Sequence, residues 1–267
     1  MVNLDKRTLL QLGNIIAVIL TVIINTLAVV IPLGGLGTGE ISDLIPNLFV
    51  PSGITFSIWS VIYVLLFLFA IYQAKDLFKK EKEDLPFLNQ ISYFFIIASA
   101  ANILWIFLWQ YLGLTATYLS LIAMLLLLFT LILLYLRLDI GKAEVPRNVK
   151  LMIHLPISVY LGWITVATIA NVTSVLVTAG WDRFGLSESL WTILVLVVAT
   201  VITLLVILKR KDIGYSLVII WALSGIIIKR LDPLQIPHIE IVITAAIAIG
   251  IIVVGILWSI LQNKRKG

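Results

Sequence analysis

The chain has 267 residues, of which 61% are hydrophobic and only 12% are Asp, Glu, Lys or Arg, about half the charged share of ordinary soluble proteins. This composition excludes a soluble enzyme and a disordered chain, the absence of cysteine excludes a disulfide-stapled secreted domain, and the unbroken apolar stretches exclude an outer-membrane barrel. A net charge of +5 would be compatible with binding to nucleic acid. However, the basic residues lie in short clusters between apolar stretches, a distribution typical of the loops of a membrane protein.

Eight apolar stretches of 16 to 28 residues predict an all-α, polytopic membrane protein with eight transmembrane helices. In chain order the predicted helices cover residues 9–31, 54–72, 91–112, 116–136, 151–178, 190–208, 213–228 and 241–261. The fifth is long enough to tilt or kink and has Pro156 in its first turns. The seventh has only 16 residues, short of the roughly 20 that a perpendicular span needs.

The basic residues support this count. With the N-terminus in the cytoplasm, sixteen of the nineteen Lys and Arg residues lie on cytoplasmic segments, and the other face holds only Arg183, Lys229 and Arg230. The seventh span is needed, because without it Lys264, Arg265 and Lys266 would face outward. The sequence therefore predicts a multi-pass protein of the plasma membrane with both termini in the cytoplasm.

Asparagine is the main polar side chain that could act inside the membrane. All fourteen carboxylates lie outside or at the edges of the apolar stretches, which disfavours a proton-coupled transporter. Asn14, Asn25, Asn102 and Asn171 fall within predicted spans. An amide in hydrocarbon needs partners, so each should face the bundle, either for an interhelical hydrogen bond or to orient a ligand.

Tryptophan recurs on three of the predicted helices. Trp59 lies in the second, Trp105 and Trp109 share one face of the third, and Trp163 lies in the fifth. Indoles on neighbouring helices could line a flat apolar pocket suited to a planar ring, or they could pack the core. After the first span comes a glycine-rich segment with Gly34, Gly35, Gly37 and Gly39, which we expect to form a flexible outer loop that could close over such a pocket.

The sequence predicts neither a metal site nor a catalytic site. It has no cysteine, and its two histidines, His154 and His238, fall on opposite faces of the membrane. His154, near the cytoplasmic start of the fifth span, is expected to be a solvated interfacial residue rather than an axial haem ligand. No carboxylate or second histidine is placed to activate a serine.

Three motifs in chain order resemble the TspO/MBR family, the tryptophan-rich sensory or translocator proteins. The second helix follows Pro51 and carries Trp59 and, four residues later, Tyr63. The third helix carries Asn102-Ile-Leu-Trp105, followed by Phe107 and Trp109, and the fifth carries Tyr160-Leu-Gly-Trp163, then Ala167-Thr168 and Asn171. The resemblance covers residues 1–178, and the family's two loop tryptophans correspond to Leu48 and Gly53 here.

The resemblance implies a receptor or translocator with a five-helix unit that binds a tetrapyrrole (porphyrin or haem), or in some members a sterol, in an aromatic-lined pocket under the first loop. It implies no required cofactor and the possibility of a homodimer. The expected division is a TspO-like unit, residues 1–179, and a three-helix extension, residues 180–267. The pocket residues that it implies are Trp59, Tyr63, Asn102, Trp105, Trp109, Tyr160, Trp163 and Asn171.

Two other functions fit the same sequence. The chain could be an uncoupled permease or an accessory membrane subunit of a larger transporter, with the last three helices as partner surface and with Gly250 and Gly255 allowing close helix approach. It could also be an enzyme that modifies a porphyrin, although the sequence supplies no acid–base residues for that chemistry.

Overall fold

A computed structural model describes residues 5–31, 33–234 and 236–264, with side chains described as far as residue 262. Within these ranges the secondary structure is helical and contains no strand, and eight helices are long and apolar enough to cross a membrane. The predicted fold class is therefore confirmed. Arg265 and Lys266, which contributed to the predicted topology, lie outside the described residues, as does the side chain of Lys264.

The membrane helices begin and end within four residues of the predicted bounds. Numbered in chain order, they are α1 (Lys6–Val30), α2 (Ile58–Gln73), α3 (Phe94–Leu112), α4 (Thr117–Arg137), α5 (Leu155–Thr178), α6 (Glu188–Arg210), α7 (Ile213–Arg230) and α8 (Ile239–Lys264). A 3₁₀ turn, Gly53–Ser57, leads into α2, and a short helix, Thr38–Asp43, lies in the loop between α1 and α2.

Proline shapes the start of α5. The helical turns that precede it comprise Arg147–Val149 and a π-helical segment, Lys150–His154. Pro156 lacks the N–H that an α-helix would bond to the carbonyl of Met152, and its ring crowds that carbonyl. A wider turn just before the proline relieves this conflict, so the predicted irregularity takes the form of a π-helical turn.

The first five membrane helices close into a ring. α1 packs against α2 and α3, α3 against α4, α4 against α5, and α5 against α2. The remaining three helices form a second group in which α7 and α6 each pack on α8, and α7 joins the group to the ring through α5. This arrangement brings α7 next to the aromatic helices.

Two glycines allow α5 and α7 to approach closely. A side chain at Gly162 of α5 would lie 3.1 Å from the backbone of Tyr215 and from Val218, and one at Gly214 of α7 would lie 2.8 Å from the Ser158 hydroxyl. The absence of a Cβ at these two positions therefore sets the distance between the two helix groups. Gly255 packs near Leu204 of α6, whereas Gly250 borders open space.

Candidate functional site

The loop between α1 and α2 is folded over one end of the bundle, which we call the outer end because the sequence predicts that it faces away from the cytoplasm. Its short helix, Thr38–Asp43, is capped by Glu40, whose carboxylate accepts a 2.6 Å hydrogen bond from the Gly37 N–H. Two side chains of α3 hold this helix: the Trp109 indole donates to the Thr38 carbonyl at 3.1 Å, and the Gln110 amide donates to the Thr38 hydroxyl at 3.2 Å. The segment that the sequence suggested was flexible is thus an ordered roof.

A cavity of about 580 Å³ lies beneath this roof, between the outer ends of α1 and α2. Asn25 and Val29 of α1 form one wall, Trp59 and Tyr63 of α2 form another, and Ile106 of α3 closes the floor. Val29 is 71% exposed, so the cavity opens on the side of the bundle as well as under the loop. We refer to this space as the outer cavity.

Trp59 lies at the centre of a continuous group of aromatic rings. It stacks on Tyr63 with centroids 5.6 Å apart, and it meets Tyr160 and Trp163 edge-on at 6.0 and 6.3 Å. Phe56 extends the group with an edge contact to Trp163 at 5.9 Å. These offset and edge geometries are the favourable ones for aromatic pairs.

A second, much smaller space of about 40 Å³ lies under the same loop, between α2, α3 and α5, and we refer to it as the inner chamber. Trp105 and Trp109, stacked 6.0 Å apart, line it together with Trp163 and Asn171. Trp59 borders both this chamber and the outer cavity. Trp59 therefore separates the outer cavity, which is large enough for a ligand, from the inner chamber, which is nearly filled by indoles.

Four buried polar groups around the aromatic rings have no hydrogen-bond partner among the described residues. They are the Asn102 amide nitrogen, the indole nitrogens of Trp105 and Trp163, and the Tyr160 hydroxyl. A buried donor without a partner costs about 1–3 kcal/mol, and such groups are rare in native interiors. The two indoles border the inner chamber, whereas the Asn102 amide and the Tyr160 hydroxyl border neither space.

An amide pair connects this region to the outer cavity. Asn25 donates to the Asn102 carbonyl oxygen at 2.6 Å and to the Thr21 backbone carbonyl at 2.9 Å. Asn171 is engaged elsewhere, in a 3.2 Å hydrogen bond to Ser120 of α4. All four intramembrane asparagines, including Asn14, are buried, so the prediction that they face the bundle is confirmed.

The eight predicted pocket residues therefore gather on adjacent helices but do not share one space. Trp59 and Tyr63 line the outer cavity, and Trp59, Trp105, Trp109, Trp163 and Asn171 line the inner chamber. Asn102 and Tyr160 stand behind these walls, in contact with Asn25 and Trp59 respectively.

Sequence reasoning missed Phe56 and Trp221. Phe56 precedes Trp59 by three residues, and this helical spacing could have suggested a shared face. Trp221 lies on α7, outside the five-helix unit, and donates its indole N–H to the Thr55 carbonyl at 2.9 Å. No local pattern connects a helix 166 residues away to the start of α2.

The prediction that His154 is a solvated interfacial residue is wrong. Its side chain is buried, at 6% exposure, because the π-helical turn and α5 direct it against the helix bundle. It is far from the outer cavity and borders a separate space at the opposite end of the molecule.

Comparison with known proteins identifies one family. The profile described as TSPO-like protein matches residues 11–258, which is most of the chain and includes the last three membrane helices. The match runs across residues 179 and 180, the predicted boundary between two units, and that division stays a prediction. Neither a curated protein nor a solved structure matches the chain.

Proposed function

The chain belongs to the family of TSPO-like proteins, and from this premise we propose that it is an integral membrane receptor or translocator for a flat hydrophobic ligand, with a tetrapyrrole (porphyrin or haem) as the ligand class. The observation that carries the proposal is the outer cavity, where the stacked pair Trp59 and Tyr63 forms a wall beneath an ordered roof. A planar ring could lie against this wall and gain both apolar burial and stacking.

The size and position of the outer cavity support a small-molecule ligand. Its volume of about 580 Å³ falls within the roughly 300–1,000 Å³ of pockets that bind drug-sized compounds. Its side opening lies on an apolar surface of α1 that the bilayer would cover. A hydrophobic ligand could therefore reach the site from the membrane without crossing water.

The charges around the outer cavity suggest how the ligand is recognised. The lining contains no Lys or Arg among the described residues, and its two carboxylates, Glu40 and Asp43, lie at the roof. Asp43 is paired with Lys229. The polar groups that remain are neutral, such as the Asn25 amide and the Ser60 and Tyr63 hydroxyls. We therefore expect the ring face to supply most of the affinity, with any acidic side group of the ligand directed out of the cavity.

The experiment is a titration of the purified protein in detergent with protoporphyrin IX and with its neutral dimethyl ester, followed by tryptophan quenching and the porphyrin absorption band. We expect saturable binding of both compounds, with the ester at least as tight as the acid. Trp59→Leu removes the stacking surface, so it should weaken binding about tenfold, the effect of 1–1.5 kcal/mol. Trp258→Leu, on the exposed side of α8, is the matched control and should bind like wild type.

Two outcomes would count against the assignment. Equal affinity of Trp59→Leu and wild type would mean that the ligand does not lie on this wall. No saturable binding in protein with a cooperative melting transition would mean that this branch of the family kept the scaffold for another ligand.

The proposal includes the location and orientation of the chain. We propose that it lies in the plasma membrane with both termini in the cytoplasm, as a monomer or homodimer. Because the chain has no cysteine, single substitutions can test it directly. Phe184→Cys, in the loop between α5 and α6, should react with a membrane-impermeant maleimide on intact cells. Lys80→Cys, in the loop between α2 and α3, should react only after lysis, and the reverse pattern would invert the topology.

A further inference from the structure

Asn25 offers the outer cavity a hydrogen-bond acceptor. Its side chain lines the cavity, is only 3% exposed, and uses both hydrogens of its amide nitrogen, on the Asn102 oxygen and the Thr21 carbonyl. A backbone carbonyl can only accept, so the bond to Thr21 fixes which atom of the amide is the nitrogen. The Asn25 oxygen has no partner among the described residues and is left to accept a hydrogen bond from a ligand.

Glu40 is a second acceptor at the outer cavity, and it carries a charge. It lies on the roof, lines the cavity and is exposed. One of its oxygens accepts the Gly37 N–H at 2.6 Å, and the other makes no hydrogen bond within the described part of the chain. No Lys or Arg of that part forms an ion pair with this carboxylate.

Two basic groups lie near the roof, and both act on other carboxylates. Lys229 forms an ion pair with Asp43. Arg230 is buried and interacts electrostatically with Glu188 and Asp43. Neither basic residue lines the outer cavity. The uncompensated charge that faces the cavity is therefore the negative charge of Glu40.

These groups indicate the charge of the ligand. Building on the proposed function, we infer that the flat ligand of the outer cavity is a cation, an aromatic or tetrapyrrole ring system that carries a protonated amine. The ring lies on Trp59 and Tyr63, and the amine lies under the roof, where it donates a charge-assisted hydrogen bond to Glu40. The Asn25 oxygen accepts from a second N–H group, at the edge of the ring.

The other two charge states fit this lining less well. An acidic side group at the same position would meet Glu40 and Asp43, and the lining has no Lys or Arg among the described residues to offset their repulsion. A neutral side group would gain nothing from the charge of Glu40. Aromatic rings add to the preference, because their faces attract cations, and Phe56, Trp59 and Tyr63 all line the cavity.

The test compares two diamides of protoporphyrin IX that have nearly the same shape. One carries 3-(dimethylamino)propyl groups, which are protonated at pH 7, and the other carries 4-methylpentyl groups, which replace each nitrogen with carbon. Both are titrated against the purified protein in an uncharged detergent, and tryptophan quenching gives the two affinities. The quantity compared between variants is the ratio of these affinities, because unequal partition of the compounds into detergent cancels in that comparison.

Glu40→Gln is the informative variant, because glutamine can still accept the Gly37 N–H and keep the roof helix capped while the charge is lost. We expect the preference for the amine to fall about fivefold, the upper end for an ion pair between exposed groups. Raising the salt concentration should also reduce the preference in wild type, since exposed charges are screened.

Asp232→Asn is the matched control. Asp232 follows α7 on the same predicted face, does not line the outer cavity, and accepts a 2.9 Å hydrogen bond from the Leu234 N–H that asparagine can keep. Its preference for the amine should equal that of wild type. An equal fall in Asp232→Asn would overturn the inference, because the general charge of the outer face would then explain the effect.

The remaining outcomes separate this inference from the proposed function. If both diamides bind and Glu40→Gln leaves the ratio of their affinities unchanged, the inference is overturned and the proposed function stands. If neither diamide binds to folded wild-type protein, the proposed function fails and the inference fails with it. Melting curves of each variant without ligand show whether the protein is folded.

Discussion

The Trp221 indole of α7 donates a 2.9 Å hydrogen bond to the carbonyl of Thr55 in the turn that leads into α2. Two further contacts lie on the same face of α7, at intervals of four residues. The Gly225 carbonyl accepts from the Ser52 N–H at 3.0 Å, and Lys229 forms an ion pair with Asp43. One stripe of α7 thus holds the roof of the outer cavity from its short helix to the start of α2.

The first prediction is that Trp221→Phe loosens this roof without unfolding the protein. Phenylalanine keeps an aromatic ring but removes the N–H, and the loss of one hydrogen bond is worth about 1 kcal/mol. Amide hydrogen exchange in residues 38–57 should therefore become roughly fivefold faster. Trp258→Phe is the control, and equally fast exchange of residues 38–57 in this variant would mean that the effect is not specific to the hydrogen bond between Trp221 and Thr55.

The second prediction concerns how closely α7 approaches the turn. A side chain at Gly225 would overlap that of Thr55, whereas nothing lies within 4 Å of one at Gly250. Gly225→Ala should lower the free energy of unfolding by about 1–3 kcal/mol, the cost of overpacking. Gly250→Ala should be neutral or slightly stabilising, because alanine is the better helix former. Reversible unfolding in detergent gives both values, and similar values for the two variants would contradict the close packing.

The membrane helices could be predicted from the sequence because hydropathy is a local property. A run of about 20 apolar residues has few folded forms in a bilayer, and satisfaction of backbone hydrogen bonds makes it helical. The aromatic residues could also be grouped, since Trp59 and Tyr63, like Trp105 and Trp109, are spaced to share a helix face.

The roof and the burial of His154 could not be predicted, because they depend on contacts between distant segments. The Trp109 indole was expected to line a pocket with its ring, but its N–H holds the Thr38 carbonyl, 71 residues away. The burial of His154 depends on a π-helical turn, which proline makes possible but does not specify. Nothing in the sequence near Gly225 indicates that Thr55 lies against it.

The third prediction concerns acid stability. Asp76, just after α2, forms an ion pair with Arg7 and accepts a 2.7 Å hydrogen bond from Gln11. Burial alone would raise the pKa of this carboxyl, but the hydrogen bonds from Gln11 and the Glu83 N–H, with the charge of Arg7, hold it below its ordinary 3.8. A lowered pKa adds stability that is complete above the unfolded-state value and is lost as the pH falls through the folded-state value.

Thermal melting in detergent from pH 7 down to about pH 3 should therefore show a steep loss of stability below about pH 4. Asp76→Asn should melt lower at pH 7 and lose less on acidification. Glu83→Gln is the control: hydrogen bonds from Lys75 and Lys79 lower the pKa of Glu83 to about 2, but this carboxylate is exposed and salt should screen its effect. If the melting temperature of Asp76→Asn falls with pH as steeply as that of wild type, the ion pair is not responsible for the loss of stability in acid.

The fourth prediction separates two roles of the amide pair between Asn25 and Asn102. Asn25→Leu removes the 2.6 Å hydrogen bond and strands the buried Asn102 amide, so it should destabilise the protein by about 1–3 kcal/mol. The double variant Asn25→Leu, Asn102→Leu replaces both partners with apolar groups and should recover most of that loss, because neither member of the pair is then left buried without the other. Porphyrin binding should be weaker than in wild type in both variants, since Asn25 lines the outer cavity and would, in the proposed site, orient the polar edge of the ligand. Melting curves and the porphyrin titration are run on the same preparations. If the double variant recovers binding together with stability, the pair serves only to join α1 to α3, and the ligand is held by the rings of Trp59 and Tyr63 alone.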